Sequence, residues 1–145
     1  MLTTRRAADY DLAFLTDLFL RAMRIHITAA RGFWHEALER NQFLEQLQLH
    51  QTQIIEYHDK GIGFLMTLER DHEIELHTLC IAPEYQGRGF GAVIVRGFLE
   101  EAKVHKRDAV LSVLRANTTA RSFYERLGFV VFEESAHHHR MRHVA

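Results

Sequence analysis

The sequence has one proline, one cysteine and no long run of apolar side chains among its 145 residues. Because the single cysteine, Cys80, cannot form an intrachain disulfide, we expect the chain in a reducing compartment, the cytoplasm. Its apolar runs are only a few residues long, far short of the ~20 that a membrane helix needs, so we expect no membrane partner. The first residues include Asp9 and Asp11, and they do not resemble a signal peptide.

An excess of either charge is also missing, since 18 basic residues face 19 acidic ones and the formal net charge is -1. A chain that binds nucleic acid usually carries a clear basic excess, so we expect no nucleic-acid partner. The hydrophobic content of 47% and the charged content of 26% are those of a globular domain and exclude a disordered chain. The length suits one core, and we therefore expect a single domain over residues 1–145.

The apolar periodicity predicts an ordered series of strands and helices, βααβββαβαββ. It indicates an α/β (α+β) fold in which a mixed central sheet of six to seven strands is flanked by about four helices. The first helix is predicted to run to Met23 and the second to end near Leu49. A hairpin turn is predicted at Asp59-Lys60-Gly61, and Asn117 or Thr118 is predicted to cap the last helix, which Gly128 ends.

Three glycines lie between a predicted strand and a predicted helix, in the segment Gln86-Gly87-Arg88-Gly89-Phe90-Gly91. Glycine lets the backbone approach a ligand closely, and the first turn of a helix adds unpaired N–H groups with a partial positive charge. Such a turn can hold a pyrophosphate, and Arg88 can add a charged hydrogen bond. The spacing fits neither a P-loop nor a dinucleotide fingerprint. A tight turn that binds no ligand is the alternative.

Two motifs in this sequence resemble those of the GCN5-related N-acetyltransferase (GNAT) superfamily. The segment Gln86–Gly91 is similar to the Q/R-x-x-G-x-G/A signature, and it follows I-A-P-E-Y. Residues 117–129 resemble a second signature, N-x-x-A-x-x-x-Y-x-x-x-G-F. The resemblance is dense between residues 73 and 132. It implies the GNAT fold, acetyl-coenzyme A as cosubstrate and transfer of the acetyl group to an amine.

The resemblance also implies which residues contact the cosubstrate. The backbone of the predicted third meander strand pairs with the pantetheine arm, and the N–H groups of the glycine turn hold the pyrophosphate. Asn117 contacts the cofactor near the pantetheine, and Tyr124 lies near the sulfur. A splayed pair of parallel strands, 73–81 and 109–114, would leave unpaired backbone edges for this arm. The backbone positions are Leu79, Cys80, Ile81, Gln86, Gly87, Arg88, Gly89, Phe90, Gly91 and Ala92.

The chemistry requires a neutral amine and a proton for the leaving thiolate. An alkyl amine has a pKa of about 10.4, so keeping it neutral near pH 7 costs roughly 4 kcal/mol. Tyr124 stands at the family's proton-donor position. Glu75 and His77 share one face of a predicted strand and are the candidate bases. His77 has the better-matched intrinsic pKa, but members of the superfamily that the motifs resemble often place a glutamate on this strand, so we rank Glu75 slightly ahead of His77. A reaction without a side-chain base, in which the amine arrives neutral, is a further alternative.

The acceptor pocket is expected beside the first two helices, because the cofactor arm occupies the sheet edge next to them. We predict that Trp34, Glu36 and His138 bind the acceptor, although Trp34 fits a core position between helices equally well. His137 and His139 have the spacing of strand metal ligands, but no cysteine or aspartate lies nearby in sequence, so we expect no metal. Cys80 is expected to be a small buried side chain and not a nucleophile.

These observations predict an acetyl-coenzyme A-dependent N-acetyltransferase that acts on a primary amine of a small molecule or peptide by direct attack. The alternative is a non-catalytic acyl-coenzyme A-binding or regulatory module. A homodimer is a common assembly in the superfamily that the motifs resemble.

Overall fold

Seven strands and four helices follow one another in the order that the periodicity predicted. The computed structural model describes residues 1–145. Its elements are β1 (Leu2–Arg6), α1 (Leu12–Arg31), α2 (Glu36–Gln46), β2 (Thr52–Tyr57), β3 (Lys60–Glu69), β4 (Glu73–Ile81), α3 (Phe90–Val104), β5 (Asp108–Leu114), α4 (Thr118–Arg126), β6 (Val130–Glu134) and β7 (His138–His143).

All strands belong to one sheet with the order β1-β2-β3-β4-β5-β7-β6. Every neighbouring pair is antiparallel except β4 and β5, which are parallel. The fold is therefore the predicted mixed α/β architecture. None of the helices combines the length and the apolar character that crossing a bilayer requires.

Two apolar cores lie on the two faces of the sheet. On one face α1 and α2 pack on β2 to β4 around Leu15, Phe43 and Phe64. On the other face α3 and α4 pack on β4, β5 and β7 around Val95 and Leu111. Helices α1 and α3 each bury an apolar stripe, as amphipathic helices do, whereas α2 and α4 contribute chiefly Phe43 and Tyr124 to the two cores.

The first two helices differ in length from the prediction. Helix α1 continues beyond Met23 to Arg31, because Ile27 adds another buried turn. It ends at Gly32, whose φ of 83° is the left-handed conformation that glycine adopts without strain. Helix α2 ends at Gln46, ahead of the predicted Leu49, and a short 3-10 turn over Leu49–Gln51 follows it.

The β2–β3 hairpin turns one residue earlier than predicted. His58 and Asp59 form the two-residue connection, with φ values of 52° and 63°. Two consecutive positive φ values are those of a type I′ turn, whose twist matches that of the flanking strands. Gly61 consequently lies inside β3 and not in the turn.

Strand β4 contains a bulge at His77. Thr78 pairs with Met66 and Leu76 pairs with Thr67, so His77 has no residue opposite it on β3. An inserted residue reverses the side on which later side chains lie. Accordingly Leu76 belongs to the core beneath α3 and α4, whereas Cys80 belongs to the core beneath α1 and α2.

Candidate active site

The parallel strands β4 and β5 separate after a short stretch of pairing. They are paired only over residues 73–75 and 108–110. From Leu76 on β4 and Leu111 on β5, the edges that face each other have no strand partner. Unpaired backbone N–H and C=O groups require other hydrogen-bond partners. The splay therefore has the form that the sequence predicted for an amide-bearing ligand.

A cavity of about 560 Å³ lies at this splay. It brings together six of the side chains that the sequence singled out: Glu75, His77, Leu79, Asn117, Tyr124 and His138. The wall opposite the sheet comes from α1 and α2, including Phe19, Met23, Ile27 and Phe43. The cavity thus joins the predicted cofactor edge to the predicted acceptor side.

Trp34 and Glu36 do not line this cavity. They lie with Asp17, Arg24 and Arg40 around a smaller surface depression between α1 and α2. Arg24 stacks over the Trp34 ring with 5.6 Å between the guanidinium carbon and the ring centroid. The structure therefore does not bring Trp34 and Glu36 together with the other predicted site residues.

Tyr124 projects from α4 into the core at the wall of the cavity. Its ring packs edge-on against Phe123 and Phe129, with centroid distances of 5.0 and 5.6 Å. Burial raises the pKa of Tyr124 above its ordinary value, and the nearby Cys80 adds to the rise. The phenol is therefore protonated near neutral pH, which is the form that can donate a proton.

Glu75 and His77 both line the cavity from β4. One oxygen of Glu75 accepts a 2.9 Å hydrogen bond from Arg70. The Nδ1 atom of His77 lies 2.9 Å from the Thr78 hydroxyl, so Nε2 is the ring nitrogen without a protein partner. Both candidate bases therefore lie beside the cavity.

The glycine turn has a row of unused donors. Gly87 and Gly89 have φ values of 77° and 82°, which would strain any residue with a side chain. No acceptor within the chain takes the N–H groups of residues 87–92. Gln86 differs from the rest of the predicted set, because its N–H donates to the carbonyl of Pro83 at 3.2 Å.

The space around the glycine turn is open. A Cβ atom at Gly87 or Gly89 would meet nothing within 4 Å. Arg88 lies beside the turn, with its guanidinium 5.1 Å from the Tyr85 ring centroid. Unused amides at the N-terminus of the fifteen-residue helix α3, together with one arginine, favour an anionic group.

Cys80 is buried, as expected from the sequence. Desolvation raises the pKa of its thiol to about 12. The thiol is therefore protonated near neutral pH, and only a thiolate is an effective nucleophile.

His138 lies at the far wall of the cavity, at the start of β7. Desolvation lowers the pKa of His138, and the positive potentials of His137 and Arg31 lower it further. The imidazole is therefore neutral near pH 7. His139 is buried instead, 3.0 Å from a carboxylate oxygen of Glu134.

Sequence reasoning missed an ion pair at the cavity wall. Glu39 of α2 is 3% exposed and accepts a hydrogen bond from Arg31 at the end of α1. Charged residues occur all around α2, so composition alone assigns Glu39 to solvent. The available signal was its spacing, because Glu39 stands one turn before Phe43 and shares its buried face.

Comparisons with known proteins all identify acetyltransferases as the relatives of this chain. A family model for an acetyltransferase (GNAT) domain matches residues 22–145. An N-acetyltransferase of Methanocaldococcus jannaschii, itself uncharacterised, is 32% identical over 84 residues, which cover 52% of this chain and 37% of that protein. A mycothiol acetyltransferase of Corynebacterium glutamicum is 35% identical over 74 residues, 50% of this chain and 25% of that protein. The chain thus matches well under half the length of both curated relatives.

The fold is also found among solved structures. The PaiA N-acetyltransferase of Thermoplasma acidophilum, solved in complex with coenzyme A, has a TM-score of 0.74 to this chain at 20% identity. The superposition covers 100% of this chain and 99% of the other. At this identity the likeness establishes a shared fold.

Proposed function

The chain belongs to the GNAT acetyltransferase family, and on that premise we propose that it is an acetyl-coenzyme A-dependent N-acetyltransferase. The acceptor is the primary amine of a small molecule or peptide, and the acetyl group moves by direct attack. The observation that carries the proposal is the continuity of the site. The unused amides of residues 87–92 follow β4 after a short 3-10 turn over Pro83–Tyr85, and the open edge of β4 leads to the cavity beside Tyr124.

The residues of the turn and the splay fit coenzyme A. A diphosphate needs several donors that cost no further backbone rearrangement, and the amides of residues 87–92 are already unpaired. Arg88 supplies a positive charge beside them. The pantetheine arm carries two amides, and the edge of β4 beyond Glu75, which has no strand partner, offers donors and acceptors for such groups. At Ile81 the backbone carbonyl already accepts a 2.8 Å hydrogen bond from Nε2 of Gln86, so a ligand would share or displace that contact.

Asn117 can contribute to the same site through one end of its side chain. Its Oδ1 atom accepts the N–H of Ala120 at 3.1 Å. The side-chain NH₂ group has no partner within the chain, so it is the end that can donate to the cofactor.

Tyr124 is the proposed acid of the reaction. The neutral amine attacks the thioester carbonyl, a C–N bond forms, and the C–S bond breaks. The departing sulfur takes a proton, and the protonated phenol of Tyr124 is the donor at this wall. The Cys80 thiol is buried and protonated, so it is a poor nucleophile. We therefore propose that the acetyl group passes directly to the amine, without an acetyl-cysteine intermediate.

The proton lost by the amine goes to Glu75, to His77 or to water. Glu75 is held by Arg70, whereas His77 presents a ring nitrogen without a protein partner. The variants Glu75→Gln and His77→Gln separate the alternatives. The true base lowers kcat by about 100-fold or more when it is removed, and the other residue changes kcat by only a few-fold.

The test of the function combines binding with turnover. Calorimetry measures the association of acetyl-coenzyme A, and a free-thiol assay follows its cleavage with a broad library of amines. Binding together with amine-dependent thiol release is the expected result. Binding without release by any amine would favour the non-catalytic acyl-coenzyme A-binding module. No association with coenzyme A or its acyl forms would overturn both.

A further inference from the structure

The part of the cavity that lies against α1 and α2 contains one buried carboxylate with one arginine. Glu39 is 3% exposed, and Arg31 is the sole hydrogen-bond partner of its carboxylate. A charge taken out of water costs free energy that a partner must offset. The pair also fastens the last residue of α1 to α2 across the short connection between them.

The ion pair with Glu39 uses only some of the hydrogen-bond donors of the Arg31 guanidinium. Only its Nη1 atom bonds to Glu39, and its Nε and Nη2 atoms donate to no group of the chain. The side chain is 38% exposed and lines the cavity. The free edge of the guanidinium, formed by Nε and Nη2, has the spacing that matches the two oxygens of a carboxylate.

The neighbouring polar side chains are also without protein partners. The same wall is lined by Gln42 and Gln46 of α2, by His137 just before β7 and by His138 at its start. None of their side-chain nitrogens is hydrogen-bonded within the chain. Amide NH₂ groups and imidazole N–H groups can donate hydrogen bonds, so each of these side chains can add a donor beside Arg31, although each also carries an acceptor atom.

Free negative charge is lacking in the cavity. Glu39 and Glu75 are the two carboxylates that line it, and each is already paired, with Arg31 and with Arg70. A second positive charge on an acceptor would find no unpaired carboxylate here. A carboxylate on the acceptor, by contrast, would find the open edge of a guanidinium.

We propose that Arg31 determines acceptor specificity and that the acceptor is an amine that carries its own carboxylate, as free amino acids and short peptides do. This inference rests on the N-acetyltransferase function proposed above. Arg31 holds the carboxylate through Nε and Nη2, and the amine reaches toward Tyr124. Glu39 is a positioning residue that orients the guanidinium from behind.

The experiment compares matched acceptors on the full-length protein. Leucine and leucinamide, and likewise glutamine and glutaminamide, differ only in the carboxylate, and putrescine represents diamines. The intrinsic reactivity of each amine is the same for every enzyme variant. The acid-to-amide ratio of kcat/KM, compared between variants, therefore isolates the contribution of Arg31.

Arg31→Lys keeps the charge beside Glu39 but removes the planar fork. We expect it to lower the acid-to-amide ratio at least tenfold, about 1.4 kcal/mol, mainly through a higher KM for the acids. Glu39→Gln should raise KM for the acids and leave KM for the amides unchanged. Arg107→Lys, at an arginine that is paired with Glu69 and does not line the cavity, is the matched control and should leave the ratio unchanged.

A double variant guards against loss of folding. Arg31→Gln with Glu39→Gln leaves neither charge unpaired, and circular dichroism checks that it folds. It should abolish the preference for acids while it still acetylates amides. An unchanged ratio in the lysine variant and in the double variant, or a preference of the natural protein for putrescine, would overturn the proposal.

The same measurements distinguish a wrong role for Arg31 from a wrong catalytic function. If amides are acetylated as efficiently as acids in every variant, the acetyltransferase function stands and the role of Arg31 is wrong. If no amine releases thiol, the proposed catalysis fails, and product binding decides the role of Arg31. N-acetylleucine should then bind the coenzyme A-loaded protein at least tenfold more tightly than N-acetylleucinamide, and Arg31→Lys should remove the difference. Equal binding would refute it.

Discussion

Asn117 accepts a 3.1 Å hydrogen bond from the backbone N–H of Ala120, and this contact begins the helix that carries Tyr124 two turns later. One side chain thus caps α4 with its oxygen and keeps its NH₂ group for the cavity. The two ends of the amide have separable roles, because aspartate caps a helix as well as asparagine does but has no NH₂ group.

Asn117→Asp should therefore keep stability and lose cofactor affinity. We expect the free energy of unfolding to stay within about 0.5 kcal/mol of that of the natural protein, while the Kd for acetyl-coenzyme A rises about tenfold, or 1.4 kcal/mol. Asn117→Ala should lose both, with a stability loss of about 1 kcal/mol. Urea unfolding and calorimetry measure the two quantities. An unchanged Kd in the aspartate variant would show that the NH₂ group does not contact the cofactor.

Tyr124→Phe should slow turnover and leave acetyl-coenzyme A binding intact. The change removes the only group on the phenol that can donate a proton, and a well-placed acid contributes roughly 100- to 10,000-fold. The free-thiol assay gives kcat, and calorimetry gives Kd. Tyr10→Phe is the matched control, since Tyr10 is 79% exposed and does not line the cavity. Equal rates for the two variants would remove Tyr124 from the mechanism.

Gly89→Ala should weaken cofactor binding through the turn. The φ of 82° costs an alanine about 1–2 kcal/mol, and the added methyl group stands beside the free amides. We expect an increase in Kd of about tenfold, or 1.4 kcal/mol. Gly97→Ala, inside α3 with open space around it, should instead stabilise the protein by about 0.5–1 kcal/mol and keep the Kd. Similar affinities for the two alanine variants would argue against the pyrophosphate site.

The stability of the N-terminal region should depend on pH through Asp11. Arg5 donates to both oxygens of Asp11 at 2.9 Å, and these hydrogen bonds, helped by the N–H of Ala8, hold the pKa of Asp11 below its ordinary value of 3.8 although burial opposes them. A depressed folded pKa adds stability above the unfolded pKa, and this contribution is lost as the pH falls through the folded pKa.

Asp11→Asn should consequently lower the free energy of unfolding by about 1 kcal/mol at pH 7. The difference from the natural protein should shrink as the pH is lowered from 4 toward 2. Asp9→Asn, an exposed neighbour outside any ion pair, should show no difference at either pH. Urea unfolding across this range tests it, and a difference between Asp11→Asn and the natural protein that does not vary with pH would contradict the linkage.

Local features of the chain were predictable because local rules produce them. Gly128 ends α4 with a φ of 98°, and Asn117 caps the same helix, as their residue types indicate. The predicted turn between β2 and β3 was wrong by one residue. Gly61 favoured a turn that included it, whereas the positive φ values belong to His58 and Asp59, two residue types that adopt them less often than glycine does. The alternation along β4 predicted a common face for Glu75 and His77 but not the position of the bulge.

The acceptor side was the least predictable part. Trp34 and Glu36 are an aromatic and an acid in the expected helices, yet they lie outside the cavity. Arg31 and Glu39 look like ordinary helix-surface charges, yet they line it. Their arrangement depends on how α1 and α2 cross the sheet, and helix packing depends on shapes from several distant segments.

By itself the sequence determined the order of the helices and strands, the glycine turn and the helix α4 that carries Tyr124. The reason is that apolar periodicity, helix capping and positive φ values each depend on only a few neighbouring residues. The tertiary structure alone decided where β4 and β5 separate, that the β4 bulge falls at His77, and that Arg31 with Glu39 closes one wall of the cavity. These features arise from pairing and packing between segments far apart in the chain, where the free energy of each contact depends on all the others.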